Sequence, residues 1–244
     1  MKKKIVATNK SSLKKLIQQE IYLNGACCDL NHVDVSGITD MSLLFTKTRF
    51  NGNISNWDVS NVSNMSGMFF DTVFNQDISG WNVSKVRQMK WMFHKSEFNK
   101  DISQWNVSNV FNMVFMFSRS KFNQDISCWD VSGATNMSWM FAASCFNQDI
   151  SLWNVSNVTT MEQMFFNSKF NQNLVHWQPI KLTNKKSIFS KTNLEKECNL
   201  PYWATIEIEF LEQVINAHRL HMTLEETLIC LPKANTTTTK TKKI

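Results

Sequence analysis

The stretch FNQDISGWNVSKVRQMKWMF, residues 74–93, is written over and over in this chain at a period of 24 residues. Trp57, Trp81, Trp105, Trp129, Trp153 and Trp177 keep that interval without slippage. So do Phe50, Phe74, Phe98, Phe122, Phe146 and Phe170, each followed by Asn. A fixed period of about 20 to 50 residues marks stacked supersecondary units, none of which buries its apolar face alone. The expected fold class is therefore a repeat solenoid, with about seven coils over residues 26–190. Such an array offers an extended surface to a partner rather than a deep pocket for chemistry.

Within one unit, Trp81 and Val83 alternate around Asn82, which reads as a short strand with Asn82 facing out. Ser84 is placed to cap a helical turn whose buried face carries Val86, Met89, Met92 and Phe93. Successive strands would form a short parallel β-sheet on one face, with short helical turns on the other. The Asn after each Phe falls in the return of the coil. There its side chain is expected to bond backbone and to stack as a ladder.

Composition agrees with an interior filled by one residue type at one height per coil. Of 13 Met, only Met1 and Met222 lie outside the repeat, and six of the nine Trp are repeat Trp. The net charge of +6 lives at the ends. Residues 1–25 hold six Lys against one Glu, and 233–244 hold four Lys. Residues 26–178 hold ten Lys and Arg against twelve Asp and Glu. That near-neutral body points away from nucleic acid, which calls for a basic stripe along the coils. It also predicts binding that depends weakly on salt.

The end segments read as caps that hide the open coils. Leu13, Leu16, Ile17 and Ile21 share one face of a helix, with Ser11 or Ser12 at its start and Gly25 at its end. This gives an N-terminal helical cap over 1–25. A C-terminal helical cap is expected over 191–232. One helix would carry Trp203, Ile206, Phe210, Val214 and Ala217, and a second would begin at the capping-box pair Thr223 and Glu226 and stop at Pro232. Residues 233–244 are too poor in apolar residues to order themselves.

The strings FNQDISGWNVSKVRQMKWMF (74–93) and FNQDISLWNVSNVTTMEQMF (146–165), with the lead-in DLNHVDVSGITDMSLLF (29–45), resemble the BspA-type leucine-rich repeat family. That family occurs in bacterial surface proteins, mycoplasma lipoproteins and some viruses and protists. The resemblance covers about residues 10–190. It implies a right-handed, leucine-rich-repeat-like solenoid that binds or adheres, with no shared catalytic residues.

A search for chemistry returns little. There is no Gly-rich phosphate loop, HExxH or GxSxG. The six Cys (27, 28, 128, 145, 198, 230) form no CxxC pair and ignore the repeat, which fits free thiols in a reducing compartment. Cys27 and Cys28 are expected to be buried, and Cys128 exposed. His218 and His221, with Cys198 or Cys230, are a weak metal constellation, short of the ligands zinc needs. No enzyme, cofactor or metal is expected. No apolar h-region follows the basic start and no stretch is long enough to span a membrane, so the expected location is the cytoplasm, or a host cell for an effector.

The positions that break the repeat carry more information. Between the two Met of each unit stand Gly67, Trp91, Phe115, Trp139 and Gln163. Trp91, Phe115 and Trp139 are expected to lean outward as an aromatic stripe one coil apart, extended by Phe111. A second candidate face is the polar row Asp58, Asn82, Asn106, Asp130 and Asn154. These nine residues are the candidate binding site. The expected function is a monomeric, non-enzymatic protein-binding module, an intracellular adaptor or host-directed effector. An extracellular surface adhesin is the alternative, and a cysteine- or metal-dependent enzyme using the C-terminal helices a remote one.

Overall fold

A computed structural model describes residues 4–197 and 199–230. The tail 233–244, Pro232 and Cys198 lie outside the described residues. The named elements are β1 (Ile5–Val6), α1 (Lys10–Asn24), β2 (Val33–Asp34), α2 (Asn193–Lys196), α3 (Tyr202–Thr205) and α4 (Ile208–Cys230). Between β2 and α2 the chain runs as a succession of tight turns, and residues about 24 apart touch. Parallel bridges link Asp40, Asn64, Gln88, Asn112, Asn136, Thr160 and Asn184, each to the next.

The backbone contact between turns is continuous around each bridge. The N–H groups of Met65, Gly67, Phe69 and Asp71 donate to the carbonyls of Gln88, Lys90, Met92 and His94 at 2.8–3.0 Å. The same four positions repeat the pattern one turn on, from Met89, Trp91, Phe93 and Lys95. The ladder thus runs through the Met segment, where a helical turn was expected, and not through the Trp–Asn–Val segment, where a strand was expected. No helix is assigned between Asn24 and Asn193 among the described residues.

Two local causes produce this exchange. At the Trp–Asn–Val segment, Asn82 Oδ1 accepts from Ser84 N and Oγ (3.1 and 2.7 Å), an Asx turn that bends the chain away from a strand. Ser84 therefore closes a turn and caps no helix. The alternation itself is real: Trp81 and Val83 are buried and Asn82 is exposed. In the Met segment, Trp91 has φ 58° and Lys95 has φ 55°. The two positions are left-handed in every turn, mostly without glycine, at roughly 1–2 kcal/mol each for an L-residue. Placing Trp91 in that region between Met89 and Met92 turns both Met inward and Trp91 out, so the three-residue spacing mimics a helix.

The core is a set of columns. All eleven repeat Met are fully buried. Phe69, Phe93, Phe117, Phe141 and Phe165 stack at 5.6–5.8 Å. A second Phe column runs from Phe50 to Phe170 at 6.1–6.3 Å. Each repeat Trp donates Nε1–H to a carbonyl one turn earlier, as Trp105 does to Ile78 at 3.2 Å. Outside the core, Asn75, Asn99, Asn123, Asn147 and Asn171 each donate backbone N–H to the preceding Asn side chain at 2.7–2.9 Å.

Both ends close on this register. At the start, β1 pairs in parallel with β2, Ile5 opposite Val33, the residue at the Trp position of the first turn. Helix α1 follows, with Leu13 and Ile17 buried and Gly25 as its C-cap at φ 82°. Its N-cap is Asn9, whose side chain takes Ser12 N–H while Ser12 Oγ takes Asn9 N–H; Ser12 is thus the partner of the cap and not the cap.

At the far end, Trp203 on α3 extends the Trp column. It is fully buried, stacks on Trp177 at 5.9 Å and donates Nε1–H to Leu174 O at 2.9 Å. The expected pair of helices is replaced by the short α3 and the long α4. Ile206, extended at ψ 158°, breaks the chain between them and rotates the register. Leu211 and Ile215 then face the core while Phe210 and Ala217 are exposed, and α4 runs through the Thr223 position unbroken. Lys185 Nζ reaches the carbonyls of Trp203, Ala204 and Ile206, tying the last turn to the end of α3. Burial lowers the pKa of that ammonium, and the Glu207 carboxylate offsets only part of the effect.

Candidate functional site

The left-handed residue between the two Met turns away from the core and is exposed or half-buried in every turn but that of Gly67, so its identity decides the character of one side of the stack. The row reads Leu43, Gly67, Trp91, Phe115, Trp139, Gln163 and Ser187. Three residues on, a second row reads Thr46, Phe70, His94, Ser118, Ala142, Phe166 and Ser190, half-buried except at the buried Ser118 and Ala142. The two rows lie side by side and their rings interlock. Phe115 stacks on Trp139 at 5.2 Å, Trp91 tilts against Phe115 at 6.4 Å, and Trp139 meets Phe166 at 5.9 Å. His94 lies flat on Phe70 at 5.3 Å and edge-on to Phe115 at 5.6 Å.

The structure thus brings together Trp91, Phe115 and Trp139, and it adds His94, Phe70, Phe166 and Leu43, which the sequence reading missed. The signal was available: Phe70, His94 and Phe166 are the ring-bearing members of the row one residue after the repeat Phe, and Leu43 stands in the same row as Trp91. Phe111 does not join them. It stands in a different outward column, with Arg87 and Thr135, whose backbones pair N–H to carbonyl from turn to turn. Trp91 and Phe111 are each 41% exposed, while Phe115 and Trp139 are half-buried against their neighbours.

Between Leu43 and Trp91 the row carries no side chain at Gly67, which is buried with Leu43 lying over it. Above them a hollow of about 550 Å³ is lined by Leu43, Thr46, Lys47, Phe70, Trp91, His94 and Phe115. That size falls within the range of ligand sites, and its walls are almost wholly apolar. Glycine is there for space and not for backbone freedom, since its neighbours in the row are left-handed too. A Cβ on Gly67 would lie 2.6 Å from Leu43 Cδ2. A second hollow of about 280 Å³ continues past His94 and Phe115 to Trp139 and Phe166. A third, of about 350 Å³, extends past Leu43 and Thr46 to Ile17 and Ile21 of α1.

His94 sits where the first two hollows meet. Its Nδ1 is buried without a hydrogen-bond partner. Desolvation, with Lys95 and Arg119 nearby, lowers its pKa from 6.5 to about 4, so the ring is neutral at pH 7. Cations fringe the furrow. Lys90 Nζ lies 5.2 Å from the Trp91 ring centre, Lys191 Nζ 5.1 Å from Phe166 and Lys47 Nζ 6.0 Å from Phe70.

The polar row is committed elsewhere. Asp58, Asn82, Asn106, Asp130 and Asn154 are all exposed, yet each accepts the N–H of the Ser two residues on, at 3.0–3.1 Å. Hydrogen bonds from Ser60 and Ser132 hold Asp58 and Asp130 below the ordinary carboxylate range. These residues make the bend of each turn. Of the expected buried pair, Cys28 is buried and Cys27 exposed; Cys128 is exposed. His218 stacks on Tyr202 at 4.4 Å. Among the described residues, no group of three His, Cys, Asp or Glu could hold a metal ion, and no helix is long and apolar enough to cross a membrane.

A known family matches the chain twice in tandem, over residues 11–121 and 118–222, as a repeat family would. It is described as Mycoplasma protein of unknown function, DUF285. No curated protein and no solved structure is detectably similar to the chain.

Proposed function

The chain belongs to the DUF285 family, and on that premise we propose that it is a non-enzymatic binding module whose partner is a protein received in the aromatic furrow. The fold we assign it is a leucine-rich-repeat-like solenoid of the BspA type, a reading supported by the 24-residue period and by the parallel backbone bonds between consecutive turns. The observation that carries the binding reading is the furrow itself. Apolar rings interlock on the outside of a stack whose core is already filled, and they surround a 550 Å³ hollow. Contiguous exposed apolar surface on this scale marks an interaction site, and Trp is favoured at the centre of interfaces.

The test is the triple variant Trp91→Ser, Phe115→Gln, Trp139→Ser. Its thermal melt is compared first with that of the parent chain. Both proteins are then used to capture partners from the native cell and from host cells. The expected result is an unchanged cooperative melt with loss of the specific partner. Retention of every partner by a folded triple variant would remove the furrow from the account.

A further inference from the structure

The near-neutral charge of the repeat body hides a segregation that only the stacking reveals. The left-handed row that closes each Met segment reads Lys47, Asp71, Lys95, Arg119, Ala143, Asn167 and Lys191. Two residues on, the next row reads Arg49, Val73, Glu97, Lys121, Cys145, Lys169 and Asn193. Together the two rows hold seven cations and two carboxylates; six of those cations and both carboxylates fall within 26–178, a body that is net acidic. The acidic residues collect in other bends, at Asp77, Asp125 and Asp149, each bonded to the Ser two residues on. One bank of the furrow is therefore a basic stripe. A stack without such a stripe was expected, with binding that depends weakly on salt; a partner seated on this bank would instead feel the salt.

The furrow is also long. The three hollows share walls in pairs: the 350 and 550 Å³ hollows share Leu43 and Thr46, and the 550 and 280 Å³ hollows share His94 and Phe115. From Leu43 to Phe166 they cross five turn-to-turn steps, about 24 Å at the ~4.8 Å spacing of paired strands. An extended peptide at ~3.3 Å per residue covers that with about seven residues.

Resting on the binding reading above, we propose that the furrow receives an extended acidic peptide segment of about seven residues. A bulky apolar side chain of that segment sits in the 550 Å³ hollow between Leu43, Phe70 and Trp91. Its carboxylates lie along Lys47, Lys95 and Arg119. The neutral ring of His94 forms part of the apolar floor. Charge argues against the chain's own ends as occupants, since residues 1–25 and 233–244 are both Lys-rich. A single nucleic-acid strand matches the charge but not the rings. Base-stacking needs free aromatic faces, and Phe115 and Trp139 already stack on each other.

The experiment pans a phage-displayed library of random octapeptides on the full-length chain at low salt. Synthetic peptides from the enriched set and a fluorescent fifteen-residue oligothymidylate are then titrated. The expected enriched sequences carry several Asp or Glu around one large apolar residue. Their affinity should fall at least tenfold from 50 to 500 mM salt, because screening shortens the reach of exposed charges. It should fall at least tenfold in the Lys95→Glu, Arg119→Glu double variant, whose melt is checked against the parent.

Enrichment of neutral or basic peptides overturns the proposal. So does tighter binding of the oligothymidylate than of any acidic peptide. So does affinity unchanged by the double variant. If no peptide is enriched while the aromatic triple variant still loses its cellular partner, the acidic-peptide proposal fails and the broader binding reading stands. If the triple variant loses nothing, both fall.

Discussion

Trp105 shows how one residue serves both the core and the turn. Its ring lies in the Trp column and its Nε1–H meets Ile78 O, so truncation leaves a cavity and removes one of the two hydrogen bonds that carbonyl accepts, the other coming from Trp81 N–H. Trp105→Ala should destabilise by about 3–5 kcal/mol, the usual range for a large buried aromatic. Asn106→Ala removes only an exposed Asx turn, worth about 1 kcal/mol. Chemical denaturation of the two variants checks the ordering. His94 gives a second residue-scale test. Its pKa is lowered from 6.5 to about 4 in the folded chain, chiefly by desolvation, so the unfolded chain binds the proton more readily. Its contribution is complete above pH 6.5 and is lost progressively as the pH falls toward 4. Phe70 and Phe166 occupy the same row, so His94→Phe should fold. Between pH 7 and 4.5 its melting temperature should fall less than the parent's; equal slopes would show that His94 is not desolvated.

The elements differ in how much of them could be read from the chain. The columns of Trp, Phe and Met were legible, because buried positions repeat at 24 residues and break only in the end turns, as at Val33 and Lys185. The N-terminal helix was legible from its apolar spacing and Gly25. Strand and helix were assigned to the wrong segments because spacing alone cannot separate a helical turn from a chain carrying left-handed residues. Nothing in a residue such as Trp91 or Lys95 announces positive φ, as a glycine would. Half of the aromatic furrow was legible as repeat-breaking residues, and Phe111 was misplaced by assuming helical neighbours. Trp203 was read as one face of a helix, because it stands 26 residues beyond Trp177 and not 24. Its geometry makes α3 the last layer of the core. Trp203→Ala should therefore destabilise as much as Trp105→Ala. A chain cut to residues 26–190 should aggregate, since it bares both ends of the columns. A soluble, monomeric, cooperatively melting fragment in light scattering would show that the end segments are not caps.

At the scale of the whole molecule, the account joins two facts. A backbone ladder through the Met segments stacks the turns, and the left-handed residues inside that ladder turn a row of rings outward beside a basic stripe. The furrow exists only if the ladder runs there. Amide hydrogen exchange of the full-length chain, resolved by residue with NMR, reads the ladder directly, because paired backbone groups exchange slowly. The account predicts strong protection at Met89, Trp91 and Phe93 and at their counterparts Met113, Phe115 and Phe117, with fast exchange at the exposed Asn82 and Asn106. Protection centred on Trp81–Val83 and Trp105–Val107, with fast exchange at Met89–Phe93, would contradict it, and the aromatic furrow would lose the backbone that builds it.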